Sequence, residues 1–171
     1  MDTIITKILK AGLLLVILLG SSGIYAQTEV PDIELSDMDG DSYQLSDLVS
    51  GEKITVVIFW ATWCKPCIDE LDNIADYYDE WLNEIEFNLV SVCIDDSRTS
   101  SSVKGFVRGR DWPFWILMDE NQDLKRTMNV TDIPYYCIFD KKGKIVLRHT
   151  GYIPGDEEIM FEEIARLNNE N

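Results

Sequence analysis

The chain has 171 residues, with 15 Lys and Arg against 31 Asp and Glu, one His and four Cys, for a net charge of −16. That balance excludes nucleic-acid binding and docking on anionic lipid, both of which need a basic surface. One His leaves no His-rich metal site, and four cysteines are too few for a disulfide scaffold of this length. An apolar fraction of 46% is that of a globular protein with a real core.

The first 26 residues stand apart. Lys7 and Lys10 precede an apolar run from Ala11 to Leu19, and small residues lead to Ala26. This is the layout of a secretory signal peptide, with cleavage expected after Ala26, and an uncleaved anchor is the second reading. The run is short for a membrane span, which needs about 20 apolar residues. Cleavage removes Lys7, Lys10 and Asp2 and leaves 145 residues carrying −17. The expected location is periplasmic or otherwise extracytoplasmic, where disulfides persist. Any membrane contact runs through this segment alone.

Residues 27–171 read as one domain without repeats or linkers. Ile33 and Leu35 alternate with polar residues, and Asp39-Gly40 marks a hairpin turn rather than a calcium loop, since the twelfth position from Asp37 is Leu48. A short helix is expected at Leu45–Val49. Ile54–Trp60 is a continuous β-branched and aromatic run, as in a strand buried on both faces. A helix is predicted over Pro66–Leu82 from the stripe Cys67, Leu71, Ile74, Tyr78 and Trp81. Strands follow at Phe87–Ile94 and Phe114–Met118, with helices at Ser100–Arg108 and Gln122–Met128. Tyr135–Phe139 and Ile145–Arg148 form a hairpin, and Glu157–Leu167 a terminal amphipathic helix. This order gives an α/β fold, a central mixed β-sheet with helices on both faces.

The chemistry concentrates in Trp63-Cys64-Lys65-Pro66-Cys67. A C-x-x-C pair lies between a buried strand and a helix start. There the unpaired N–H groups and the macrodipole favour a thiolate at Cys64. Lys65 adds positive charge, and Pro66 fits the first turn, which needs no N–H. Cys67, one turn on and more buried, can resolve a mixed disulfide formed at Cys64. The bland alternatives are a structural disulfide or half of a zinc site. Zinc would need a second C-x-x-C or paired His, and neither exists.

Phe59-Trp60-Ala61-Thr62-Trp63-Cys64-Lys65-Pro66-Cys67 resembles the active-site segment of the thioredoxin superfamily, and Ile133-Pro134 resembles its cis-proline loop. Gly143, Ile145 and Gly151 are similar to its closing hairpin. The likeness spans about residues 29 to 168. The signal segment, the N-terminal hairpin and the 70 residues from Cys64 to Pro134 resemble the exported TlpA/ResA-type subgroup, with room for an inserted β-α unit near Ser100–Met118. The resemblance implies a thioredoxin-like fold, no cofactor, disulfide-bearing client proteins and a membrane electron donor for re-reduction. It further implies a proton-moving role for Glu70 and a cis Pro134 that exposes the backbone of Ile133 to a substrate peptide. Trp63, Lys65 and Pro66 would complete the substrate surface.

Two departures stand out. Thioredoxins carry a buried Asp where this chain has Ile58, which shifts weight to Glu70 or water. After the cis-proline, Tyr135-Tyr136 are expected to reshape the substrate surface. Cys93 and Cys137, centred in strands on either side of the motif strand, are expected to be buried and inert, and His149 is expected at the surface. The expected activity is reduction of client disulfides. The alternatives are the oxidase or isomerase direction, a thiol peroxidase, and a copper-binding chaperone. A peroxidase would need T-x-x-C, but Thr62 is at the wrong offset. A copper chaperone would need C-x-x-x-C with His149 as the distant ligand.

Overall fold

The computed structural model describes residues 30–170, and the signal segment expected at residues 1–26 lies outside them. Seven strands form one mixed sheet: β1 (Glu34–Asp37), β2 (Ser42–Gln44), β3 (Ile54–Trp60), β4 (Phe87–Cys93), β5 (Trp115–Met118), β6 (Tyr135–Phe139) and β7 (Ile145–Thr150). Their order is β2-β1-β5-β4-β3-β6-β7. The helices are α1 (Leu45–Val49), α2 (Lys65–Glu84), α3 (Ser100–Arg108), α4 (Asp123–Thr127) and α5 (Asp156–Asn169).

β3 lies inside the sheet and all seven of its residues are buried. It pairs in parallel with β4 (Ile54 opposite Phe87, Trp60 opposite Cys93) and antiparallel with β6 (Thr55 opposite Phe139, Phe59 opposite Tyr135). The crossover from β3 to β4 is α2, which sets its N-terminus at the C-terminal end of the strands. Ligand sites of α/β sheets gather at this end.

The N-terminal hairpin turns as expected. The Asp37 carboxylate accepts the amides of Asp39 and Asp41 at 2.8 and 3.0 Å, and Gly40 takes a φ of 93° that favours glycine. The inserted unit is α3 followed by β5. It places β5 between β4, with which it runs parallel, and β1, with which it runs antiparallel.

Helices cover both faces of the sheet. α2 packs on α5 through Trp81 and Phe161, whose rings stack 4.8 Å apart, and buries Leu71 and Ile74 completely. α1 covers the opposite face, where its Leu48 carbonyl accepts the Thr55 hydroxyl at 3.3 Å. Predicted and observed elements agree throughout, with ends that differ by one or two residues. β7 runs on two residues past its predicted end, to Thr150, and so reaches the loop beside Pro134.

Candidate active site

Cys64 is the N-cap of α2. Its carbonyl accepts the Ile68 amide at 3.1 Å, and its Sγ accepts the Cys67 amide at 3.3 Å. A backbone N–H therefore points at the sulfur that would carry negative charge, as helix starts do. Cys64 and Cys67 are joined as a disulfide with Cα atoms 5.3 Å apart, so the structure holds the oxidised pair. Cys64 is 6% exposed and Cys67 fully buried: Cys67 is the deeper of the two, as expected, but in the oxidised pair Cys64 is buried as well rather than exposed. Pro66 lies in the first turn of α2.

Trp63 is 64% exposed beside Cys64, whereas Trp60 is completely buried. Trp60 packs edge-on against Trp112 at 5.0 Å. Lys65 is expected to add positive charge beside Cys64. Instead it forms an ion pair with Asp69 one turn along α2, which offsets its charge.

The Ile133–Pro134 bond is cis, as the resemblance implies. The Pro134 carbonyl is taken by the Gly151 amide at 2.8 Å, while no backbone hydrogen bond among the described residues engages Ile133. Asp132, next to it, is exposed.

Tyr135 and Tyr136 correct an expectation. Neither ring lies on a substrate surface, for they are 7% and 3% exposed. β6 is paired on both edges, with β3 and β7, and each ring is packed against a neighbouring side chain. Tyr135 meets Phe59 edge-on at 5.8 Å, and Tyr136 stacks on His149 at 5.1 Å. His149 is therefore only partly exposed, with Nε2 3.5 Å from the Asp156 carboxylate.

Glu70 is not one more solvated acid of the α2 surface. It is 1% exposed, and its Oε2 has no hydrogen-bond partner among the described residues. Burial pushes its carboxyl up to about 8, with the negative charges of Asp156 and Glu157 adding to the effect. Ile58, at the position where thioredoxins carry an Asp, is fully buried and apolar.

Cys93 and Cys137 are free, buried thiols on β4 and β6, on opposite sides of β3. Burial pushes both thiols up, which keeps them unreactive.

Sequence reasoning missed Asp95. Two residues past the end of β4, this fully buried carboxylate accepts the Thr62 amide and hydroxyl, each at 2.7 Å, and the Cys93 thiol at 3.2 Å. Burial would raise its pKa. The hydrogen bonds from Thr62, Thr99 and Cys93 outweigh that and hold the carboxyl below the usual range. An acid at the C-terminal end of a buried parallel strand was the available signal.

Comparison with known proteins agrees with this geometry. The AhpC/TSA family pattern matches residues 26–148. The thiol-disulfide oxidoreductase ResA of Bacillus cereus is 30% identical over 123 residues, which are 72% of this chain and 68% of that protein. Among solved structures, an uncharacterised thioredoxin-like protein from Porphyromonas gingivalis superposes with a TM-score of 0.72 at 37% identity. That match covers 86% of this chain and 95% of that one. The exposed lipoprotein thioredoxin Etrx1 of Streptococcus pneumoniae superposes with a TM-score of 0.62 at 26% identity, covering 80% of this chain and all of that one.

Proposed function

The chain belongs to the AhpC/TSA family and is a thioredoxin-like oxidoreductase, and from that premise we propose that it reduces disulfides in client proteins outside the cytoplasm. The observation that carries the reading is the Cys64–Cys67 pair at the start of α2, with a protonatable Glu70 one turn further on the buried side.

In the reduced protein, the Cys64 thiolate attacks one sulfur of a client disulfide. The client S–S bond breaks, a Cys64–client mixed disulfide forms, and the departing client sulfur takes up a proton. Cys67 then loses its proton, for which Glu70 in its ionised form is the acceptor, and attacks Cys64 Sγ. The Cys64–Cys67 disulfide forms, the second client sulfur leaves and is protonated, and two electrons have passed to the client. A dithiol donor, at the membrane in the cell, restores the reduced pair. Ile133 offers its free backbone groups to an extended client segment in β fashion. Trp63, Lys65 and Pro66 form the exposed rim on the other side.

Export is supported by the signal-like residues 1–26 and by the likeness to an exposed lipoprotein. No helix among the described residues is long and apolar enough to cross a membrane.

The test is reduction of a protein disulfide with dithiothreitol as electron source. Cys64→Ser should abolish turnover, and Cys67→Ala should trap a client on Cys64 for identification by mass spectrometry. Activity retained in Cys64→Ser would sink the mechanism. A reduction potential well above the glutathione range would reverse the direction to oxidation.

A further inference from the structure

The carboxylate of Asp95 stands outside the cysteine pair yet grips the segment that carries it. β3 ends at Trp60 and α2 begins after Cys64, so three residues bridge the strand to the nucleophile. That bridge is tied at several points. The Trp60 carbonyl accepts the Ile94 amide at 2.9 Å, extending the β3–β4 ladder by one step, and the Ala61 carbonyl accepts the Cys64 amide at 3.0 Å. Between these ties, Thr62 is held through main chain and side chain together: its amide donates to Asp95 Oδ2 and its hydroxyl to Asp95 Oδ1. Oδ2 also accepts the Cys93 thiol. A fully buried carboxylate is costly unless its oxygens are satisfied. Here the Thr62 amide and hydroxyl and the Cys93 thiol satisfy it, with Thr99 adding to them, and the two Thr62 donors belong to the active-site segment.

We propose that Asp95 is a positioning residue of the redox site, fixing the Thr62–Cys64 segment so that Cys64 Sγ meets an incoming disulfide in one orientation. The inference rests on the oxidoreductase reading above. A bidentate grip on one residue removes both backbone and side-chain freedom from a short segment, and small misplacements of a reacting atom cost large factors in rate. Asn at this position can accept only one of the two Thr62 donors with its single oxygen. Ala accepts neither and leaves both unpaired.

The experiment compares the wild type with Asp95→Ala, Asp95→Asn, Thr62→Val and Thr62→Ser. Three readouts are taken: protein-disulfide reduction with dithiothreitol, the pH profile of Cys64 alkylation, and the equilibrium constant with glutathione. Asp95→Ala should lower kcat/KM tenfold or more, shift the alkylation midpoint and change the equilibrium constant at least threefold. Asp95→Asn should fall between it and the wild type. Thr62→Val should lose a smaller factor, and Thr62→Ser, which keeps the hydroxyl, should recover it. A folded Asp95→Ala with wild-type rate, midpoint and equilibrium constant overturns the proposal. So does one that only melts at a lower temperature. If Asp95→Ala does not fold, the Thr62→Val and Thr62→Ser pair decides on the same three readouts. A wild type inactive on protein disulfides would overturn the oxidoreductase reading instead, and the alkylation profile and glutathione equilibrium would still judge Asp95.

Discussion

Glu70 stands one helical turn beyond Cys67 on the buried side of α2, so the Cys67 sulfur and a carboxyl pushed up to about 8 share one inward face. Two consequences follow from burying an acid there: it is neutral over much of the physiological range, and it ties stability to pH.

The sign of that tie is fixed by linkage. Glu70 has a pKa of about 8 in the fold against the ordinary 4.5. Between those values the native state binds the proton and the unfolded state does not, so stability falls as pH rises. The stability is fully present below about pH 4.5 and lost as pH passes 8, a change on the order of a few kcal/mol. Glu70→Gln, neutral and similar in shape, should remove this decline. Urea midpoints of the oxidised proteins should nearly coincide at pH 5, with the Gln variant more stable at pH 9. A difference independent of pH would show that Glu70 does not titrate in this range.

Trp63 exposes most of its ring beside Cys64, while Phe59, Trp60 and Ala61 are buried. An exposed aromatic contributes little to folding, within about 0.5 kcal/mol on replacement, but much to binding, where Trp commonly accounts for about 2 kcal/mol or more. Trp63→Ala should leave the melting temperature unchanged and raise KM for a protein client roughly tenfold or more. Reduction of a small-molecule disulfide should stay near wild type. A stability loss with unchanged KM would place Trp63 in the core instead.

Local pattern made the strands, the helices and the redox pair legible, because each is written in contiguous residues: ITVVIFW as a doubly buried strand, the 4-3-4-3 stripe as α2, C-x-x-C at its start. The misread tyrosines had a signal as well. Tyr135–Phe139 is as continuously apolar as β3, and the same rule would have buried both rings. What was illegible is long-range. Asp95 and Thr62 are 33 residues apart, and Asp72 meets Arg110 and Trp112 only once α2 and the inserted unit are packed together. No periodicity records such meetings, for they depend on which strand end lies beside which.

The Asp72 contact is the seam between α2 and the insertion. Its carboxylate accepts Arg110 Nη1 at 2.8 Å and Trp112 Nε1 at 2.9 Å, and the Arg110 guanidinium lies 4.4 Å above the Phe106 ring. Trp112 is buried, so removing its acceptor leaves a buried donor unsatisfied, at a cost of about 1–3 kcal/mol. Asp72→Ala should lower the urea midpoint by that amount with unchanged slope. Asp72→Asn, which keeps an acceptor for Trp112, should lose less. Equal losses in the two variants would mean that the ion pair, not the indole bond, holds the seam.

Charge placement bears on which clients are met. Between Ile68 and Ser97 there are ten acids and no Lys or Arg, and the only cation between the cysteines, Lys65, is paired with Asp69. Exposed Asp132 lies next to Ile133 on the other side of the site. The rim facing a client is thus negative or neutral, and a basic sequence around the client disulfide would be drawn to it. Such steering acts over a Debye length of about 10 Å at 0.1 M salt and about 3 Å at 1 M, and it acts chiefly on the encounter rate. The second-order rate of reduction of a disulfide peptide flanked by Lys should therefore fall several-fold between 0.05 and 0.5 M NaCl, on the order expected for surface steering. The same peptide flanked by Glu should react more slowly at low salt and gain speed as salt is added. Rates for the basic peptide that ignored ionic strength would leave the acidity of α2 without a part in client choice.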